Sequence, residues 1–184
     1  MELRDKVVVI TGGSGGIGRA MAAAFLAEGA REVTLADLNP EQVHAAAAEL
    51  GCQAAVCDVT DEAAMTRLVE DVIGRSGRID LFCSNAGAGG EGVLTDATND
   101  VWQKQWDLHV MSHVYAARAV LPSMIERGEG YLLNTASAAG LLAALGSGPY
   151  SVTKAAAVKL AEFLSITHGD EGIKVSVLCP QGVN

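Results

Sequence analysis

Tyr150 and Lys154 stand four residues apart, with Ser137 a short way upstream. A phenol, an amine and a hydroxyl in that arrangement could protonate or deprotonate a substrate oxygen. Residues four apart on a helix share a face, so the Lys154 ammonium can sit beside the Tyr150 hydroxyl and favour its phenolate. A free phenol titrates near ~10, and bringing one toward ~7 takes roughly 4 kcal/mol of electrostatic stabilisation. One lysine does not supply that alone, whereas an added cationic ring would help. An amphipathic pair at the start of an ordinary helix has the same spacing, so the surrounding elements decide the reading.

Those elements alternate. Short apolar runs at Val7 to Thr11, Val33 to Ala36, Ala54 to Cys57, Ile79 to Ser84, Tyr131 to Thr135 and Lys174 to Leu178 are separated by helical patterns. Six near-continuous apolar strands and five helices indicate an α/β protein with a parallel sheet covered on both faces. Asn39-Pro40 opens a helix running to Leu50, and Gly51 closes it. Thr60-Asp61-Glu62 starts another with acidic residues where the helix dipole favours them. The longest helical run, about 99–127, contains Pro122, which predicts a kink or break there.

The first strand ends in Thr11-Gly12-Gly13-Ser14-Gly15-Gly16-Ile17-Gly18, with a helix beginning at about Ile17. Such a turn lets a dinucleotide pyrophosphate approach the backbone and meet a helix N-terminus. The second strand ends in Ala36-Asp37-Leu38, which puts a carboxylate nineteen residues beyond Gly18, where a ribose diol would be held. A 2′-phosphate would be repelled there, and no Arg or Lys lies inside the glycine loop or just after Asp37. NAD(H) is therefore favoured over NADP(H). Asp58-Val59 follows the third strand and either contacts the adenine or serves the turn into Thr60. Asn85-Ala86-Gly87 leaves the fourth strand, which flanks the first at the switch point of a doubly wound sheet, so both loops face one crevice.

In order and spacing, the glycine loop, Asn85-Ala86-Gly87, Ser137 and Tyr150-x-x-x-Lys154 resemble the short-chain dehydrogenase/reductase family, in its single-domain NAD-dependent branch. The likeness extends over essentially the whole chain. It implies a Rossmann-like sheet in the order 3-2-1-4-5-6, and one dinucleotide-binding and catalytic domain over 1–184. It also implies an NAD(H)-dependent oxidoreductase that interconverts a secondary alcohol and a ketone by hydride transfer. Ser137 would hold the substrate oxygen and Tyr150 transfer the proton. Lys154 would bind the nicotinamide ribose, and the oxidised ring would be the extra cation. Gly12, Ser14, Gly15, Gly16, Ile17, Gly18, Asp37, Leu38, Asp58, Val59, Asn85, Ala86, Gly87, Tyr150, Lys154, Pro180 and Val183 would form the cofactor site. The family's habit of assembling through its two long helices implies a dimer or tetramer.

Two departures stand out. Family members usually carry a catalytic asparagine in the long helical run; Asp107-Leu-His-Val-Met-Ser112 aligns with that segment and puts His109 in its place. The asparagine is thought to stabilise a helix kink whose carbonyl holds a water leading from the lysine to solvent. A histidine either preserves the kink or relays a proton itself. The second departure is Pro180-Gln181-Gly182-Val183-Asn184, which resembles the family's Pro-Gly-x-Val-x-Thr, with Val183 meeting the carboxamide. There the family normally continues through a substrate-covering loop and a seventh strand, so the chain reads as truncated at its C-terminus. A second reading follows from these departures: a nucleotide-binding regulatory or assembly subunit with weakened catalysis.

Composition sets the remaining bounds. A net charge of −9 with no Lys/Arg cluster argues against nucleic acid and acidic membrane surfaces. No apolar stretch is long enough to span a bilayer, and the start of the chain carries no apolar signal region. The expectation is a cytoplasmic protein acting on a small molecule. Cys52, Cys57, Cys83 and Cys179 lack metal-ligand spacing and read as reduced packing residues. Leu141, Leu142 and Leu145 form either an apolar pocket wall or ordinary loop packing. His44, His113 and His168 have no motif around them and read as surface or packing residues.

Overall fold

The computed structural model describes residues 1–90 and 92–182. Six parallel strands form one sheet in the order β3-β2-β1-β4-β5-β6. They are β1 (Val7–Thr11), β2 (Glu32–Asp37), β3 (Gln53–Val56), β4 (Leu81–Ser84), β5 (Gly130–Thr135) and β6 (Ile173–Leu178). The strand order is the one expected from the resemblance. β4 begins two residues later than its apolar run, although Asp80 already bonds Val7 and Tyr131 through its backbone.

Strand alternation sends side chains to both faces, and each face is covered. Val7, Val9, Phe82 and Leu132 pack against α3 (Glu62–Ser76) and α5 (Ser112–Arg127). Val8, Ile10, Leu35 and Cys83 face α1 (Gly16–Ala27) and α2 (Pro40–Leu50). Val7, Val8, Val9 and Ile10 are wholly buried, and each such side chain contributes roughly 1.5–3 kcal/mol on burial. β1 therefore anchors the glycine loop that follows it.

Local chemistry sets the helix ends. Asn39 accepts a hydrogen bond from the Gln42 N–H, Pro40 takes the first helical position, and Gly51 closes α2 in the left-handed region at φ 69°. At α3, within the expected Thr60-Asp61-Glu62 start, the cap is Asp61, whose side chain accepts from the Ala63 N–H.

The long helical run divides at a different place from the one expected. α4 (Asn99–Trp106) passes into a π-helical segment, Asp107–Met111, before α5 begins, and α5 continues through Pro122 to Arg127. The widened turn has a local cause. The Ser112 N–H bonds the Asp107 carbonyl five residues back, and the Ser112 hydroxyl bonds the Leu108 carbonyl at 2.6 Å. The serine thus satisfies the acceptor that an ordinary α-helical bond would have taken. α6 (Gly148–His168) packs across this segment and carries Tyr150 and Lys154.

Candidate active site

Two cavities lie at the carboxyl edge of the sheet. The first, about 630 Å³, is lined by Gly12, Ser14, Gly15, Gly16, Ile17, Gly18, Asp37, Leu38, Asp58, Val59, Asn85, Ala86 and Gly87. These residues come from four separate loops. Cys57, Thr60, Lys104, Asp107 and Leu108 also line the cavity. Sequence reasoning missed the last three, although positions i, i+3 and i+4 of one helical run share a face.

The glycines of the loop serve two purposes. Gly12 sits at φ +63°, and a Cβ there would lie 2.8 Å from Ala86 Cα; one on Gly18 would lie 2.4 Å from the Gly12 carbonyl oxygen. These glycines let the loop fold onto β4 and onto itself. A Cβ on Gly16 would meet nothing within 4 Å. Space above the N-terminus of α1 is therefore open, and that N-terminus has no side-chain cap and no acidic residue in its first turn. Its N–H groups and positive dipole end suit an anion.

Asp37 closes the loop from β2. Its Oδ2 accepts from Ser14 N at 3.0 Å and Ser14 Oγ at 2.6 Å, while Oδ1 accepts from Leu38 N at 2.8 Å. Asp58 accepts from the backbone and hydroxyl of Thr60 at 2.9 and 2.7 Å, so it serves the turn while also facing the cavity. Asn85 Nδ2 donates to the carbonyls of Thr11 and Gly12, tying β4 to the glycine loop. Its Oδ1 is buried without a partner among the described residues. An unpaired acceptor, an open glycine surface and an uncapped helix end fit the pyrophosphate and hydroxyls of a dinucleotide.

The second cavity, about 850 Å³, is lined by Ser137 and Tyr150 together with Gly89, Gly90, Ala138, Ala139, Leu142, Ala143, Ala144, Ser147 and Gln181. It adjoins the first, because the loop after β4 lines one cavity with Asn85 to Gly87 and the other with Gly89 and Gly90. The Ser137 hydroxyl accepts the Ala139 N–H at 3.2 Å and retains its own proton for donation. It caps a turn and faces the cavity as well. Pro180 lines neither cavity; its carbonyl accepts the Ala138 N–H at 2.9 Å and so fixes that turn. Leu141, Leu142 and Leu145 are exposed rather than packed into the loop, and Leu142 contributes to the cavity wall. Val183 lies outside the described residues.

Lys154 is buried in the partition between the cavities. Its Nζ donates to the Thr135 carbonyl at 3.1 Å and lies 5.7 Å from the centre of the Tyr150 ring. A Cβ on Gly87 would come within 3.3 Å of that Nζ, so glycine permits the close approach. Burial lowers the Lys154 pKa to about 8, with a smaller opposing effect from Cys179. The amine is still mostly ammonium at neutral pH.

His109 is fully buried in the same partition, edge-on to Tyr150 at 5.3 Å between ring centres. Nε2 accepts from Ala88 N at 3.3 Å, so the ring proton sits on Nδ1, facing Thr153 Oγ1 at 3.0 Å. Thr153 passes its own proton to the Pro149 carbonyl at 2.8 Å. Burial first, then the Lys154 charge, lower the His109 pKa to about 4. A neutral ring with both nitrogens engaged is a strut between the β4 loop and α6. This geometry supports preservation of the helix distortion over direct proton relay. His113, read from sequence as a surface or packing residue, is also buried, and neither ring nitrogen has a partner among the described residues.

A family model described as short chain dehydrogenase matches residues 6–184. The meso-2,3-butanediol dehydrogenase of Serratia marcescens is 34% identical over 183 residues, covering 98% of this chain and 72% of that protein. The sorbitol dehydrogenase of Cereibacter sphaeroides is 36% identical over 184 residues, covering 98% and 71%. The crystal structure of an NAD+-bound xylitol dehydrogenase matches with a TM-score of 0.93 at 30% identity, covering 100% of this chain and 74% of that one. Agreement in sequence and in backbone thus extends across nearly every residue described, and the chain belongs to the short chain dehydrogenase family.

Proposed function

We propose that the protein is an oxidoreductase that interconverts a secondary alcohol and a ketone, using NAD(H) in preference to NADP(H). The observation that carries this reading is the juxtaposition of two cavities: Ser137 and Tyr150 line one, the glycine loop and Gly87 line the other, and Lys154 is buried against both Gly87 and Tyr150. The glycine loop and α1 N-terminus would hold the pyrophosphate, Asp37 a ribose diol, and Asn85 Oδ1 a further donor. A nicotinamide ring held there would supply the hydride acceptor for alcohol oxidation and, in its reduced form, the hydride donor for ketone reduction.

The remaining work falls to the protein. Ser137 donates its free proton to the substrate oxygen and fixes its position. Tyr150 takes the alcohol proton during oxidation and returns one during reduction. The Lys154 ammonium stabilises negative charge on the phenol oxygen, and Thr135 holds the amine in place. The Asp37 carboxylate disfavours a 2′-phosphate by repulsion. Among the described residues the second cavity is lined by small, apolar and neutral polar side chains, which agrees with the neutral polyols and diols named for the relatives.

Incubation with NAD+ and a panel of secondary alcohols, followed at the absorbance of reduced cofactor, tests the proposal. Tyr150→Phe should lower kcat by at least about 100-fold, the usual contribution of a positioned acid or base. Tight NADH binding without turnover on any alcohol or ketone would support a binding subunit instead.

A further inference from the structure

The layer between α5 and the sheet contains polar atoms that the protein leaves without partners. His113 is 2% exposed and Asn134 3% exposed; both His113 nitrogens and Asn134 Nδ2 lack hydrogen-bond partners among the described residues. Alternation along β5 puts Asn134 on the same face as Leu132, which packs with Ala116, Ala117 and Val120 of α5. His113 precedes Ala116 and Ala117 on that buried helix face. Ser84, on the Phe82 face of β4, is the direct register partner of Asn134. Three polar side chains thus converge at the carboxyl end of the strands, next to the π-helical segment.

Their chemistry is complementary at a distance. A neutral imidazole offers one acceptor and one donor, an amide nitrogen two donors, and a serine hydroxyl both. His113 and Asn134 do not bond directly, yet unpaired polar groups in a dry interior are costly. A buried water with two to four such partners removes that cost. Immediately beyond Asn134, the Thr135 carbonyl receives one bond from Lys154 Nζ, whose other donors are unassigned among the described residues. His113 feels the Lys154 charge: burial first, then Lys154 and His109, lower its pKa to about 3, so the ring is neutral at pH 7.

We propose that His113, Asn134 and Ser84 hold a buried water cluster behind Lys154, and that His113 is the positioning residue through which this water supports the lysine ammonium. Lys154 is faced by Tyr150 from its own helix, His109 from the π-helical segment, His113 from α5 and Cys179 beyond β6. His109 and His113 are neutral, and Cys179 favours the ammonium. The cluster supplies Lys154 with an acceptor besides the Thr135 carbonyl. Its relevance to turnover rests on the proposed function; its existence does not.

Two measurements on the cofactor-free protein test this. A high-resolution crystal structure should show ordered water within hydrogen-bonding distance of both His113 and Asn134. With 15N-labelled lysine, NMR titration of Lys154 Nζ should place its midpoint near 8 in the unmodified protein. In His113→Leu it should fall by about one pH unit, and in His113→Gln, which keeps a donor and an acceptor, it should return. Absence of that water overturns the proposal, as does an unchanged midpoint in folded His113→Leu. If the leucine variant does not fold, the water structure of the unmodified protein decides alone. Ordered water at His113 and Asn134 with shifted titration, in a protein that turns over no alcohol, would sink the proposed function and leave this inference standing.

Discussion

Replacing His109 with asparagine tests whether the imidazole is a neutral strut. In an unfolded chain a histidine titrates near ~6.5, whereas folded His109 is held down to about 4 by burial and by Lys154. Between those values the unfolded chain binds a proton that the folded protein does not. Stability from this site is therefore fully present above about 6.5 and is lost as the pH falls toward about 4. Two and a half pH units at about 1.4 kcal/mol each give roughly 3–4 kcal/mol. In a domain of this size that corresponds to a Tm change of about 6–16 °C. At neutral pH the asparagine variant loses at least one of the two ring hydrogen bonds, at a cost of about 1 kcal/mol. Thermal unfolding of both proteins from pH 7 down to pH 4 should show the variant starting lower and the curves converging or crossing. Carboxylates titrate in both proteins, so the difference isolates the ring. Parallel curves would refute the neutral strut. In turnover assays, kcat should stay within about threefold between pH 7 and 9; a large loss at every pH would put the ring in the proton path.

Gly18→Ala should lower stability by about 2 kcal/mol or more in denaturant titration, because its Cβ would meet the Gly12 carbonyl at 2.4 Å. Gly16→Ala has open space and should be neutral or stabilising by up to ~1 kcal/mol, yet should weaken NADH binding in a fluorescence titration; unchanged affinity would mean the cofactor lies elsewhere. Asp37→Ala should weaken NADH by at least about 10-fold while improving NADPH, and an unaltered ratio of the two would remove Asp37 from cofactor selection. Ser112→Ala strips the Leu108 carbonyl of its partner and should cost about 1–3 kcal/mol, with hydrogen exchange rising around 107–112.

The parallel sheet was legible because its strands are buried on both faces, so β1 and β4 read as unbroken apolar runs. The glycine loop was legible for a steric reason: Gly12 and Gly18 stand where any side chain would collide with backbone. The division of the long helix was not, because Pro122 is the obvious breaker while the actual distortion depends on one serine hydroxyl reaching Leu108. Lys104 escaped notice and His113 was read only as a surface or packing residue, because neither belongs to a motif; their significance comes from what the fold brings to them. His109 could be located from its aligned position, but its ionisation depended on burial that spacing does not report.

The wall of the second cavity is fastened to the helix that bears Tyr150. Gly92 N bonds the Gly146 carbonyl, Gly148 N bonds the Gly92 carbonyl, both at 3.0 Å, and Ser147 Oγ bonds the Gly90 carbonyl. Tyr150 lies two residues beyond the last of these stitches. If Tyr150 transfers the proton as proposed, a substrate bulky enough to press this wall outward would displace the phenol hydroxyl with it. Steric selectivity in such a device shows as lost turnover at nearly constant affinity, which a series of ketones of increasing girth would record as falling kcat with a steady KM.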